Sequence, residues 1–86
     1  MLLRRLVEMG ECTDAQGILA LTVRLYTGAV GAWELEVREP HSGREICQRY
    51  ETEAIARGAI EAAYEHGRQF GTWRVQRARD YKPTGQ

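Results

Sequence analysis

The sequence of 86 residues is poor in the side chains on which most catalytic and metal sites depend. It holds two cysteines, two histidines and a single serine, Ser42. Cys12 and Cys47 form no CxxC pair and have no histidine at metal-ligand spacing, so no zinc signature is present. Serine chemistry needs a base and an orienting group beside the nucleophile, and Ser42 has no such motif around it. We therefore expect no catalytic residue and no metal.

An excess of charge of one sign, a long apolar run and a phosphate-binding glycine motif are also missing. Twelve basic residues balance twelve acidic ones, which disfavours a dedicated duplex-DNA binder. No apolar run reaches the ~20 residues that cross a bilayer. Arg4 and Arg5 interrupt the first apolar stretch, unlike a signal peptide. The nine glycines form neither GxGxxG nor a P-loop, so we expect no cofactor. Two isolated cysteines favour a cytoplasmic protein with reduced thiols, without membrane contact.

The start of the chain has apolar residues at helical spacing. Leu2, Leu3, Leu6 and Met9 recur as on one side of a helix, and a glycine follows, as it often does after a helix end. This pattern predicts a short helix over residues 2–9. A helix of this length is unstable alone in water, so its leucine side must pack on the body of the protein or on a partner.

Three strands are predicted next, because apolar and polar residues alternate. The first covers residues 18–26, the second follows Gly31 and ends before Pro40, and the third covers residues 44–50. Pro40 cannot donate to a strand ladder, and Gly43 can take the positive φ that would close a hairpin. The side chains predicted to face the core are Leu19, Leu21, Val23, Leu25, Trp33, Leu35 and Val37. The side chains predicted to share the outer face are Arg24, Tyr26, Glu34, Glu36, Arg38, Glu45, Arg49, Arg74 and Gln76.

A helix is predicted after the third strand, because Thr52 is a good N-cap and Glu53 suits the positive end of the helix dipole. The helix is expected to end near residues 67–71. Its predicted apolar side is Ile55, Ala56, Ala59, Ile60, Ala63 and Tyr64. Its predicted solvent side is Arg57, Glu61, Glu65 and Arg68.

Alternation returns after this helix and predicts a final strand over residues 72–77, with Trp73 and Val75 facing the core. A strand that follows a helix in this way crosses back onto the same sheet. The predicted fold class is α+β with the order α-β-β-β-α-β: a short N-terminal helix, an antiparallel meander, one amphipathic helix and a last strand. Residues 1–79 are expected to form a single domain, and residues 80–86 a flexible tail.

One segment resembles a known family. A strand, the turn Glu39-Pro40-x-Ser42-Gly43-Arg44, a second strand and a helix that opens at Thr52-x-Ala54 look like the small arm-DNA-binding domains of tyrosine recombinases. In that family the sheet reads DNA through strands rich in lysine and arginine. The corresponding strands of this chain carry Glu34, Glu36 and Glu45, which repel phosphate, and the sequence is therefore not assigned to the family.

These observations favour a small non-enzymatic interaction or regulatory protein that acts by protein–protein binding. Its partner would be another protein or its own copy, in a homodimer. An exposed edge strand offers one route, since it can add to the sheet of a partner. The residues predicted to contact the partner are Leu2, Leu3, Leu6, Arg24 and Tyr26.

Two other functions stay open at this stage. Residues 71–86 carry four basic side chains and one acidic side chain, a net charge of +3, which is a weak indication of an anionic partner. A nucleic-acid-binding module would use Arg49, Arg74, Arg77, Arg79 and Lys82. A small enzyme would need a cleft near His66, which lies at the edge of the apolar side of the predicted helix.

Overall fold

The computed structural model describes residues 4–28 and 32–83. Within these residues, five strands form one antiparallel sheet, and one helix packs against one face of it. The strands are β1 (Arg4–Thr13), β2 (Leu19–Gly28), β3 (Trp33–Glu39), β4 (Arg44–Tyr50) and β5 (Thr72–Arg77), and the helix is α1 (Glu53–Gly67). The chain is a small, strand-rich α+β domain, which confirms the coarse class predicted from the sequence.

The strand order in the sheet is β4-β3-β2-β1-β5. Strands β1 to β4 form a meander, and α1 then carries the chain back across the sheet, so that β5 pairs with β1. This crossover leaves β4 and β5 as the two edges of the described sheet, four strand spacings or about 19 Å apart. The face covered by α1 is called the helix face below, and the opposite face is called the outer face.

The predicted N-terminal helix is wrong for the described residues, because Arg4–Thr13 forms the strand β1 between β2 and β5. The register between β1 and β2 shifts at Val7, so that Val7 and Glu8 are both buried and only 1% exposed. Leu6 and Met9 pair with outer-face residues of β2 on either side of this bulge. The bulge therefore places two residues three apart on one face of a strand, a spacing that imitates a helix.

The strands predicted from alternation are confirmed as β2, β3 and β4. Leu21, Val23 and Leu25 of β2 are at most 6% exposed, as the period of two predicts for a strand with one buried face. Gly43 has a φ of 73°, and its amide donates to the carbonyl of Glu39 at 2.9 Å. These two features close the β3–β4 hairpin at the predicted turn.

Helix α1 begins where its cap predicts. The hydroxyl of Thr52 accepts a hydrogen bond from the amide of Ile55 at 3.2 Å, and Glu53 lies in the first turn. The residues that α1 buries are Ala56, Arg57, Ile60, Tyr64 and Gly67. Two of these five residues, Ala56 and Gly67, have little or no side chain, which lets the helix backbone approach the sheet closely at those positions.

Two residues of α1 lie on the side opposite to the predicted one. Arg57, predicted to face solvent, is 8% exposed, because its guanidinium group binds Glu8 of β1. Ile55, predicted to face the core, is 55% exposed, because helical geometry places it on the side of α1 away from Arg57 and towards the sheet edge at β4. The buried side of the helix therefore includes Arg57 and excludes Ile55.

The final strand is confirmed as β5, but its helix face is only partly covered. The indole N–H of Trp73 donates to the carbonyl of Tyr64 at 2.8 Å, and their rings meet edge-on at 4.8 Å. A side chain at Gly67 would collide with this indole, so the end of α1 requires a glycine there. Val75, predicted to face the core, remains 41% exposed, because α1 lies mainly over β2 and β3.

The chain returns to the core after β5 through Tyr81. Its ring lies 6.2 Å from the ring of Trp33, and its hydroxyl donates to Glu53 at 3.0 Å. Burial and this hydrogen bond raise the pKa of Tyr81 to about 12. Asp80 forms an ion pair with Arg5 at 2.5 Å. Asp80 and Tyr81 therefore contact the domain that the sequence predicts to end at residue 79.

Candidate functional site

Strand β5 has one side of its backbone unpaired within the described part of the chain. The amide of Ala78 donates to the carbonyl of Val7 at 2.9 Å, which fixes the phase of the β1–β5 ladder. Bonded and non-bonded pairs alternate along an antiparallel ladder. The backbone amides and carbonyls of Trp73, Val75 and Arg77 therefore point away from β1, towards the free edge. The side chains of the same three residues lie on the helix face.

A groove lies on the helix face between α1 and β5, and it is called the β5 groove below. It consists of two adjoining depressions of about 400 and 440 Å³, both of which include Tyr64 and Val75. The other lining residues are Glu61, Arg68, Gly71, Thr72, Trp73 and Arg77. An apolar strip with charged margins is thus open beside a free strand edge.

A buried carboxylate holds one wall of the β5 groove in place. The side chain of Glu8 is fully buried. Its Oε1 accepts from Nη1 of Arg57 at 2.8 Å and from Nε of Arg77 at 2.7 Å, and its Oε2 accepts from the hydroxyl of Tyr64 at 2.6 Å. Arg57 also donates to Glu61 at 2.5 Å. These five residues are called the Glu8 cluster below.

The hydrogen bonds of the Glu8 cluster keep Glu8 ionised. Burial alone would raise its pKa, but the bonds from Tyr64 and Arg77 and the charge of Arg57 outweigh burial and hold the pKa below its usual value of 4.5. Burial and the bond to Glu8 raise the pKa of Tyr64 well above its usual value. At neutral pH the phenol therefore remains a donor, and Glu8 remains an acceptor.

The Glu8 cluster is arranged to position side chains rather than to transfer protons. A general base needs a lone pair within reach of a substrate, whereas both oxygens of Glu8 accept internal hydrogen bonds and its side chain has no exposed surface. A buried network in which every member is satisfied makes its surroundings rigid. Tyr64 and Arg77 line the β5 groove, so the cluster fixes the shape of that groove.

The outer face carries charges of both signs that are largely paired within the monomer. The guanidinium group of Arg4 lies 4.0 Å above the ring of Tyr26. The same group forms ion pairs with Glu34 at 3.3 Å and with Glu36 at 3.1 Å. This face therefore offers a partner fewer unsatisfied groups than the sheet edges do.

The structure brings together three of the five residues predicted to contact a protein partner. Leu6 lies directly opposite Tyr26, and Arg24 follows two residues away on the same face of β2. Leu6 is 39% exposed. Leu2 and Leu3 lie outside the described residues. The three residues form a patch on the outer face, apart from the helix-face groove at β5.

The basic residues of the predicted nucleic-acid interface are divided between the two edges of the sheet. Arg49 lies on β4, and Arg74 and Arg77 lie on β5 at the other end of the strand order. Arg74 is on the outer face, whereas Arg77 turns to the helix face and binds a buried carboxylate. Arg79 and Lys82 follow β5 and are exposed. The fold does not assemble the five residues into one cationic face.

Strand β4 is the other edge, and most of its surface is exposed. Ile46 is 55% exposed on the helix face, and the equally exposed Ile55 lies on the neighbouring side of α1. Cys47 is a free thiol at the middle of the strand, and burial and the nearby Glu34 raise its pKa. Arg49 has no ion-pair partner among the described residues. This edge therefore combines uncovered apolar surface with an unpaired cation.

The remaining polar candidates have structural contacts. His66 meets the ring of Phe70 edge-on at 5.3 Å. The hydroxyl of Ser42 accepts from the amide of Arg44 at 3.2 Å within the hairpin turn. Residues 4–28 and 32–83 contain no group of three His, Cys, Asp or Glu side chains placed to hold a metal ion. In the same ranges, no helix has the length and apolar character that crossing a membrane requires.

Searches against protein-family models, curated proteins and solved structures found no match to this chain.

Sequence patterns predicted neither the Glu8 cluster nor the β5 groove. Glu8 and Arg57 have the side-chain types of solvent-facing residues, and nothing local in the sequence indicates that they meet. A signal for the groove was present in Val75, an inward-facing residue on the last strand. A single helix is too narrow to cover the inward residues of every strand in a wide sheet, so an edge strand keeps some of them exposed.

Proposed function

We propose that the protein is a small, non-enzymatic interaction protein that binds an extended acidic segment of a partner protein along β5. The observation that carries the proposal is an unpaired strand edge beside an apolar groove. A segment that adds to β5 would bond to the outward amides and carbonyls of Trp73, Val75 and Arg77. Main-chain hydrogen bonds would supply affinity, and alternate side chains entering the groove would supply specificity.

The charge around β5 favours an acidic segment. Arg74 and Arg77 belong to the strand, Arg79 and Lys82 follow it, and β5 itself contains no acidic residue. Opposite charges across a binding surface raise the association rate and exclude wrong partners. The expected partner segment alternates, with apolar residues on the helix face beside Trp73 and Val75 and acidic residues on the outer face beside Arg74.

A protein segment fits β5 better than a nucleic acid does. Arg74 and Arg77 lie on opposite faces of the sheet, so a single phosphate backbone along the edge would not meet both arginines. Arg77 also already binds the carboxylate of Glu8. We place this function in the cytoplasm, where the thiols of Cys12 and Cys47 stay reduced.

An NMR titration of the full chain with a synthetic peptide that alternates valine and glutamate tests the proposal. We expect the shift changes to concentrate at the backbone amides of Trp73, Val75 and Arg77 and at the indole N–H of Trp73. A peptide of the same length that alternates valine and lysine is the matched control. It should bind about tenfold more weakly or worse, because it presents like charge to β5.

Matched variants at the two edges locate the site. Arg74→Gln should weaken binding of the valine–glutamate peptide several-fold, whereas Arg49→Gln, the same change on β4, should leave it unchanged. Shift changes scattered over the outer face, or none at millimolar peptide, would reject the proposal. A single-stranded oligonucleotide that binds more tightly than the peptide, with an affinity that falls steeply with salt, would establish the nucleic-acid alternative in its place.

A further inference from the structure

Strand β4 is free along its outer edge, and its backbone phase follows from the ladder. The amide of Gly28 donates to the carbonyl of Ala32 at 2.8 Å, which shows which residue pairs of β2 and β3 are hydrogen-bonded and which are not. Continued through the register of β3 and β4, this alternation turns the amides and carbonyls of Glu45, Cys47 and Arg49 away from β3. These groups have no strand to bond to within the described residues.

We infer that the chain forms a homodimer in which β4 pairs antiparallel with β4 of a second copy, with Cys47 facing the partner's Cys47 on the two-fold axis. This assembly uses the edge opposite to β5 and does not depend on the function proposed for β5. The two sheets would join into one continuous antiparallel sheet, and both helices would lie on the same face of it.

The register follows from the length and the charges of β4. Cys47 is the midpoint of the seven residues Arg44–Tyr50, so an axis at Cys47 is the one that pairs the whole strand. The same axis places Glu45 opposite the partner's Arg49, and Arg49 opposite the partner's Glu45. Opposite charges at directly opposed positions stabilise an antiparallel pair. The strand is therefore self-complementary in its longest register.

Neighbouring registers lose this complementarity. Moving the axis to Ile46 or to Gln48 separates Glu45 from the partner's Arg49 and shortens the paired segment. Moving it to Glu45 or to Arg49 opposes each of these residues to its own copy, which brings like charges together. The charges on this edge thus permit one antiparallel register and disfavour the rest, as specific edge pairing requires.

The surface of the monomer agrees with a second copy at this edge. Arg49 has no ion-pair partner among the described residues, and in the dimer it would gain the partner's Glu45, which also pairs with Arg38 of its own copy at 3.2 Å. Ile46 and Ile55 are each 55% exposed on the helix face beside β4, where a copy of the same face would cover them. Covering these two side chains in a dimer would remove apolar surface from water, which favours association.

The other edge strand does not offer the same fit to a second copy. The charged residues of β5 are Arg74 and Arg77, and the strand contains no acidic residue. Self-pairing of β5 would therefore bring only positive charges to the interface. The two edge strands therefore differ in charge complementarity. Strand β4 is complementary to a second copy of itself, and β5 is complementary to an acidic segment.

Analytical ultracentrifugation of charge variants at β4 tests the register. We expect wild type to dimerise, and Glu45→Arg and Arg49→Glu each to raise the dimer dissociation constant about tenfold or more, because each variant opposes two pairs of like charges. An equimolar mixture of the two variants should associate as wild type does, since every opposed pair is then one arginine and one glutamate. The double variant E45R/R49E should also dimerise.

Cross-linking through Cys47 checks the position of the axis. A short bismaleimide should join two copies through Cys47, because Cys47 is exposed whereas Cys12 is buried and out of reach of the reagent. The cross-link should vanish in Cys47→Ser and decline in Glu45→Arg, while circular dichroism shows that both variants stay folded. A monomeric wild type, single variants that dimerise normally, or a mixture that fails to associate would each overturn the inference. Dimerisation that is lost on Val75→Asp but kept in the β4 variants would assign the interface to β5 and also overturn it.

Discussion

At the scale of single residues, most of the buried polar contacts converge on Glu8. A carboxylate with no exposed surface costs free energy unless hydrogen bonds replace its water, and here Arg57, Tyr64 and Arg77 provide them. Removing one member of this hydrogen-bonded group costs free energy, because the remaining charged or polar side chains stay buried in a low-dielectric setting without a partner. The Glu8 cluster therefore connects β1 to α1 and β5 through hydrogen bonds that depend on one another.

We expect Glu8→Ala to lower the free energy of unfolding by about 3–5 kcal/mol, because it removes the buried partner of Arg57. Glu61→Ala is the matched control: it removes the other carboxylate on the same guanidinium group. The Glu61 side chain is 52% exposed, so its loss should cost no more than about 1 kcal/mol. Urea unfolding at neutral pH, followed by tryptophan fluorescence, measures both changes. Equal losses would show that Glu8 is not the principal partner of Arg57.

The pKa of Glu8 predicts how stability depends on pH. The folded-state pKa lies below the usual value of 4.5, so the contribution of Glu8 is present above that value and is lost as the pH falls through the folded-state pKa. The difference in unfolding free energy between wild type and Glu8→Gln should therefore be constant near neutral pH and shrink in acid. Urea unfolding of both proteins from pH 7 to about pH 3 measures this difference. A difference that does not change with pH would contradict the assignment.

Residues that obey a local pattern were predictable, and residues satisfied by distant partners were not. Leu21, Val23 and Leu25 alternate with polar neighbours, and their burial follows from that alternation. Glu8 and Arg57 are 49 positions apart, and both have side-chain types that usually face solvent. Local sequence patterns do not report contacts between residues that are far apart in the sequence, so only the three-dimensional structure identifies this pair.

At the scale of elements, the prediction succeeded where strong local signals set the ends and failed where a bulge disturbed the period. Gly43 and Thr52 bracket β4, which has the predicted bounds. In β1, the extra residue at Val7 moves Leu6 and Met9 to one face and produces a helical spacing within a strand. The candidate surface is affected by this error, because Leu6 and Met9, which were predicted on one side of a helix, belong instead to a central strand.

Helix α1 contains two glycines for which opposite effects are expected. A Cβ at Gly58 meets nothing within 4 Å, so Gly58→Ala should raise the free energy of unfolding by about 1 kcal/mol through helix propensity. A Cβ at Gly67 would collide with the indole of Trp73, so Gly67→Ala should lower it by about 1–3 kcal/mol. Thermal and urea unfolding of the two variants, side by side, measures the contrast. Stabilisation by Gly67→Ala would show that the packing of Trp73 on the helix end is loose.

At the scale of the whole molecule, the crossover through α1 determines which two strands form the edges of the sheet. The helix carries the chain from β4 across the sheet to β5, so the two edges that are unpaired within the described residues lie at opposite ends of one layer. Sequence patterns predicted the strands and the helix but not the order of the strands in the sheet. The local sequence of a strand that follows a helix does not determine which edge of the sheet it joins. The order determines that Arg49 is separated from Arg74 and that each edge has its own chemistry.

The separation of the edges predicts that dimerisation and segment binding are independent. A dimer joined through β4 leaves both β5 edges free at the outer ends of the continuous sheet. Saturating amounts of the valine–glutamate peptide should therefore leave the dimer fraction unchanged in analytical ultracentrifugation, with two peptides bound per dimer. The Glu45→Arg variant, measured at a concentration at which it is monomeric, should bind the peptide as tightly as wild type does. If the copies instead met through β5, the peptide would compete for the same backbone groups and dissociate the dimer, because two strands cannot occupy one edge.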